Sequence, residues 1–213
     1  MTHEESLTHA EHFDDDGHPD YPATLRVSTP ERVGRWRVLV HWLLAIPHFL
    51  ILGVLQGLVQ LIMSIVTWLV VVFTGRLPEG LARFWMMLLR YDTRVNCYAL
   101  VLATPYPPFD FSSAETDPDD YPVHVDFEPE YDRRNRLTVL FRLILAIPQI
   151  IFIVVVAVVW LFVAVFSFFT LLFAGRWLPG PHRFTVGFFA ASLRLSAYLA
   201  MLTDKHPPFS LEV

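Results

Sequence analysis

Thirty-eight consecutive residues, Val38 to Gly75, contain no Asp, Glu, Lys or Arg, and a second such run of 33 covers Leu143 to Gly175. As one straight helix the first run would extend ~57 Å, nearly twice the ~30 Å hydrocarbon core of a bilayer. Charged residues make up 17% of the 213-residue chain and the mean hydropathy is +0.44, where an average soluble domain carries about 25% charge. Together these features imply an integral membrane protein and exclude a disordered chain. A run of this length must fold into a hairpin or lie partly along the surface. Arg32, Arg35 and Arg37 precede the first run, and Arg76 and Arg83 follow it; Arg133, Arg134 and Arg136 precede the second, and Arg176 and Arg183 follow it. The positive-inside rule puts both flanks on the cytoplasmic side, so each run crosses an even number of times. We therefore expect two hairpins. The first has its tip near Gly53, Gln56 and Gly57, while the tip of the second is unmarked between Ile150 and Trp160. Alternatively, Pro47 and Pro148 would open the second helix of each hairpin at its first turn, where a missing N–H is harmless.

The chain is also written twice. A shift of about one hundred residues aligns Tyr21-Pro22 with Tyr121-Pro122, Leu44-Ala45-Ile46-Pro47 with Leu145-Ala146-Ile147-Pro148, and Phe73-Thr74-Gly75-Arg76 with Phe173-Ala174-Gly175-Arg176. Arg83-Phe84, Arg94, Tyr98 and Pro107-Pro108-Phe109 recur as Arg183-Phe184, Arg194, Tyr198 and Pro207-Pro208-Phe209. Such register marks an internal duplication. The series Ala-Ile-Pro, Phe-x-Gly-Arg, Arg-x-x-x-Tyr and Pro-Pro-Phe resembles the family catalogued as domain of unknown function 4389, over roughly residues 36 to 109 and 121 to 213. That resemblance implies a bacterial, two-copy membrane protein and brings no activity with it. The copies depart from one another at two places: His41 stands where the second copy has Arg142, and Ala103-Thr104-Pro105 where it has Thr203-Asp204.

After each apolar run, Gly, Pro and (in the first copy) an acid spell stop, turn and restart. On the helix that follows, from about Leu81 to Ala103, Arg83, Arg90, Arg94 and Tyr98 form one stripe, which suits a headgroup-level amphipathic helix better than a third crossing. The second copy keeps Arg183, Arg194 and Tyr198, with Ala190 in the stripe. Val123 to Phe127 alternates as a half-buried strand should, and Thr24 to Val27 does so more faintly; each could pair with its duplicate or with 209–213. The expected fold is an all-α integral membrane protein, built from two tandem units of helical hairpin plus amphipathic helix, with short cytoplasmic β-strands. Its segments are an acidic, His-containing flexible tail (1–20), repeat one (21–109), a loosely held acidic linker (110–120) and repeat two (121–213).

Candidate sites follow from this layout. Arg76, Arg83, Arg90, Arg94, Arg176, Arg183 and Arg194 are placed to meet lipid headgroups, where guanidinium pairs and restarting helices can hold phosphate. His41, His48, Gln56, Gln60, Arg142 and Gln149 are the polar groups inside the apolar runs. No acid lies within either run to complete a proton relay. The tail's His3, His9, His12 and His18 with Asp14 to Asp16 lack ligand spacing, so no metal and no cofactor is expected. Cys97, the single cysteine, is expected to pack.

No basic, aromatic-interleaved face for nucleic acid occurs, and no catalytic motif is present. The expected function is a non-catalytic membrane protein acting as an accessory or scaffold subunit, through membrane lipids or other membrane protein subunits. The alternative is a small transporter or lipid-handling protein with a pathway between the copies, lined by His48, Gln56, Gln60 and Gln149. The expected location is the cell membrane, multi-pass, with the N-terminus, linker and C-terminus cytoplasmic.

Overall fold

The computed structural model describes residues 21–117, 121–131 and 134–212; the tail of 1–20 with its His and Asp residues, and residues 118–120 of the linker, lie outside them. The elements are β1 (Ala23–Val27), α1 (Arg37–Val54), a π-helical turn (Leu55–Val59), α2 (Gln60–Thr74), α3 (Glu79–Ala99), β2 (Val123–Phe127), α4 (Arg136–Leu140), α5 (Arg142–Ala174) and α6 (Pro179–Leu199). The fold is mostly helical, with two short strands.

The hairpins do not form. Helical backbone continues through Val54, the π turn and Gln60, so α1 and α2 make one helix of 38 residues, and α5 runs unbroken for 33. Pro47 and Pro148 stand inside these helices rather than at their starts. The reason is that reversing the chain would leave backbone N–H and C=O groups without partners among apolar side chains, whereas a helix pairs them internally. The π turn has its own origin in the duplication. Twenty-six residues lead from Pro47 to Phe73 but 25 from Pro148 to Phe173, and the helix absorbs the extra one as a widened turn. Gly75 (φ 70°) and Gly175 (φ 65°) stop the long helices in the left-handed region that glycine enters without strain.

The halves are related by a pseudo-two-fold axis. β1 and β2 pair antiparallel with Leu25 opposite Val125 and Ala23 opposite Phe127, so each residue faces the duplicate of its mirror position. The axis therefore runs perpendicular to the two-stranded ribbon, between Leu25 and Val125. It also exchanges flanking bonds. Ser28 donates to Pro122 and Glu128 to Pro22; Val33 donates to the Gly175 carbonyl and Arg134 to that of Gly75. Tyr21 Oη reaches the Lys205 carbonyl and Tyr121 Oη that of Pro105. Each half thus supplies a strand and a tyrosine to the other. The start of α1 meets the end of α5 and the end of α2 meets the start of α4, so the two long helices run antiparallel.

Three layers result. The sheet packs on α3 and α6, and the long helices pack on the same pair from the other side. Arg90 and Arg94 of α3 face the sheet, while Trp85, Tyr91 and Tyr98 face α1–α2. Both long helices are long and apolar enough to cross a membrane, yet only 6% and 11% of their most apolar windows is buried. Leu43, Leu50, Leu58, Leu143, Ile151 and Phe162 are among the many large side chains they leave exposed.

Candidate functional site

The arginine stripe of α3 divides. Arg83 is exposed and pairs with Glu79 at 3.2 Å. Arg90 and Arg94 are 2% and 1% exposed, which corrects their assignment to the headgroup surface. Arg94 binds Asp117 at 2.6 Å. Arg90 lies 3.4 Å from the same carboxylate and donates to the carbonyls of Val125, Ser112 and Ala114. Burial, helped by the neighbouring Arg94 charge, draws the Arg90 guanidinium down from its usual range, and Asp117 opposes that shift. A single buried carboxylate between two guanidiniums clamps residues 110–117 to β2, so this part of the linker is held tightly. The stripe's spacings of seven, four and four marked one helical face, but they could not reveal that an acid 23 residues beyond Arg94 folds back over it.

Arg76, Arg176 and Arg183 are exposed, and two further arginines join them. At Gly75 an added Cβ would stand 3.3 Å from Arg136 Nε, and at Gly175 it would stand 3.1 Å from the Val33 carbonyl and 3.6 Å from Arg35 Cγ. The turns thus gather Arg76, Arg83 and Arg136 at one end of the molecule and Arg35, Arg176 and Arg183 at the other. Arg35 and Arg136 are near their turns only because the halves interlock, which spacing along the chain does not disclose. Arg194 is half-buried on α6, and its backbone carbonyl accepts from Tyr21.

Of the polar groups in the apolar helices, four face inward. His41 and His48 lie on one buried face of an unbroken helix: His41 Nδ1 meets the Tyr98 carbonyl at 2.9 Å and stacks on its ring, and His48 Nδ1 meets Tyr91 Oη at 2.7 Å. Arg142 repeats the first arrangement, donating to the Tyr198 carbonyl at 2.6 Å with its guanidinium over the Tyr198 ring, and pairs with Asp204. Gln149 Nε2 donates to the Pro208 carbonyl. Gln56, exposed on the π turn, donates to Asp92 of α3 at 2.7 Å, and Asn96 donates to the same oxygen. Gln60 accepts Ser64 on its backbone carbonyl. Acids do meet these groups, but from α3 and the C-terminal loop. Desolvation pushes the Asp92 carboxyl up to about 6.

Between the halves lies a cavity of about 590 Å³, walled by α1, the end of α3, α5, Trp177 and Thr185. None of His48, Gln56, Gln60 or Gln149 lines it, so the polar pathway expected between the copies does not occur there. Its wall is apolar apart from Ser167, Thr185 and the indole of Trp160. A smaller space beside it, lined by Trp42, Phe49, Asn96, Trp160 and Phe189, reaches the neighbourhood of the Gln56–Asp92 pair.

Among known proteins, a family model described as Domain of unknown function (DUF4389) matches residues 35–111 and again 136–210. No curated protein and no solved structure matches the chain.

Proposed function

The chain belongs to the DUF4389 family and carries its domain twice, and on that premise we propose that it is a non-catalytic scaffold embedded in one face of the cell membrane, holding lipid headgroups on its two arginine groups. One observation carries this reading. An apolar layer of two almost unburied helices is edged at both ends by arginine, and the polar sheet and linker stand on its opposite side. The pseudo-two-fold favours helices lying in the membrane plane over the multi-pass arrangement expected from sequence. If the antiparallel long helices stood across the bilayer, the axis would lie in its midplane, with the sheet upon it. Arg26, whose side chain is 74% exposed beside Asp126, would then sit near the centre of the hydrocarbon, where a charge costs about 3 kcal/mol or more. With the axis along the membrane normal, the sheet faces water and all four arginine-flanked helix ends meet headgroups on one side. That retains the even-crossing inference and the cytoplasmic placement of the polar segments.

The non-catalytic part of the reading rests on how the interior polar groups are engaged. Arg90, Arg94, Arg142 and Asp117 bind one another or backbone, and His41 and His48 bind tyrosines. Orientation is tested with single cysteines at Glu79 and Gly180, both exposed beside the turns, in a Cys97→Ala background. A membrane-impermeant maleimide should label neither in intact cells and both after permeabilisation. Labelling of one but not the other from outside would show the ends on opposite faces and overturn the proposal. Headgroup binding is read by flotation with vesicles: adding anionic phosphatidylglycerol should strengthen recovery, by about 1 kcal/mol per arginine near the surface.

A further inference from the structure

The cavity between the halves exists because the duplication is broken there. In repeat one, Trp85 fills the space between α2 and α3, and its Nε1 donates to Thr67 Oγ1 at 3.0 Å. The duplicate positions hold Thr185 and Ser167, which are too small to meet. Both are 1% exposed, and neither hydroxyl has a hydrogen-bond partner among the described residues; nor does Nε1 of Trp160, one wall further along α5. These three orphaned polar atoms all belong to residues lining the one cavity of about 590 Å³. Unpaired buried polar atoms are few in native interiors and each calls for a cause; here three of them border a single space whose volume falls within the ~300–1,000 Å³ typical of ligand sites. The rim identifies the source of that group. Leu39, Leu161, Val165 and Phe169 line the mouth and are at least half exposed on the apolar layer, so the cavity opens sideways into whatever that layer contacts.

We infer that the cavity takes one acyl chain of a membrane phospholipid, entering laterally from the bilayer, with the several oxygens of the lipid's ester region shared among Trp160, Ser167 and Thr185. The inference rests on the membrane placement proposed above. Chain methylenes gain little on moving from lipid to an apolar wall, since lipid tails are as apolar as the side chains that line it. Selection of a bound chain therefore falls to the three hydrogen-bonding atoms.

The test uses the full chain in phosphatidylcholine vesicles containing a trace of phosphatidylcholine with a diazirine midway along one acyl chain. After photolysis, peptide mapping should find adducts on the cavity wall around Trp160, Ala164 and Phe168, and on Ile151, which is exposed on the apolar layer. Thr185→Trp restores the residue of repeat one, and its indole should donate to Ser167 and fill the space. Cavity adducts should then fall at least tenfold while Ile151 adducts persist. Ala164→Leu, which narrows the same cavity by a smaller change, should lower cavity adducts if Thr185→Trp does not fold. Cavity adducts that stay unchanged in a folded variant, or that never form while Ile151 is labelled, would overturn the site and leave the membrane placement standing. No adduct at Ile151 would remove the placement itself.

Discussion

Repeat one and repeat two share a backbone, yet they differ in two kinds of way. At the helix junction the differences are compensated. His41 stacks on Tyr98 beside a neutral Thr104, whereas Arg142 covers Tyr198 beside Asp204, which receives its charge. Both pairs do the same work, tying the start of a long helix to the carbonyl that ends its neighbour. At the centre the differences are not compensated. Trp85 and Thr67 form a filled, bonded contact, while Thr185 and Ser167 leave a void with unpaired hydroxyls. A duplicated fold can drift at any position provided partners change together. Where one half loses a partner and no residue replaces it, the space stays open, and there we place the acyl chain.

The sharpest way to break this comparison is to separate a compensated pair. Asp204→Thr should cost about 4 kcal/mol, because it leaves the buried Arg142 and Arg134 guanidiniums without their carboxylate. Arg142→His in the same chain should recover about half, since it recreates the neutral pair of repeat one while Arg134 still lacks its ion partner. Thermal or denaturant unfolding in mild detergent, arranged as a double-mutant cycle, measures the coupling. Additive losses would mean that the two positions are unrelated. Next in size is Trp85→Thr, which should cost about 3 kcal/mol by opening a second void and orphaning Thr67. If the halves are equivalent frames, this variant should also gain photolabelling on the buried face of α2, at Thr67 and Val71.

Much of this frame is legible in the residues, and the rest fails for definable reasons. Repetition is visible because the glycines, prolines and arginines that mark it act locally: Gly75 and Gly175 stop helices wherever they occur. The alternation at Val123 to Phe127 marks a strand but left its partner open between the duplicate strand and 209–213; the fold chooses the duplicate. The apolar runs form continuous helices where hairpins are expected, because arginine counting bears on which side the ends occupy and not on the path between them. A helix lying in the plane satisfies the same count as a hairpin. Arg90 and Arg94 looked amphipathic because helical spacing records direction, while Asp117 and the linker carbonyls that bury them arrive from distant sequence. The cavity was invisible for a related reason, since Thr185 and Ser167 become conspicuous only when set against Trp85 and Thr67 in space.

A smaller effect separates the halves at Asp92, whose duplicate is Ser192. Its carboxyl titrates near 6 in the folded chain, raised by burial, and near 3.9 when unfolded. A raised carboxyl favours the folded state in its protonated form, so its contribution is intact below about pH 3.9 and is lost as pH rises through 6. At 1.36 kcal/mol per unit, partly offset by exposure, Asp92→Asn should raise stability by about 2 kcal/mol at pH 7.5 and leave it unchanged near pH 4. A gain of the same size at both pH values would detach the effect from titration.

The smallest effect probes the one extra residue that repeat one carries between Pro47 and Phe73. Deleting Gly57 brings the distance from Pro47 to Phe73 down to that of repeat two and should turn the π turn into ordinary helix. Nothing lies within 4 Å of where a Gly57 side chain would be, so the change costs no packing, and removing an interior glycine favours helix by under 1 kcal/mol. The deletion rotates Gln56 away from Asp92 and removes that hydrogen bond, worth about 1 kcal/mol. The two terms nearly cancel, and stability should change by less than 1 kcal/mol. The titration should move instead. Without the Gln56 donor, which favours the ionised form, the Asp92 carboxyl should titrate higher still, and the pH dependence of stability should shift upward with it. A deletion that unfolds the chain would show that the π turn is a required joint between α1 and α2. An unchanged titration would show that Asn96 alone, and not the inserted residue, sets the environment of Asp92.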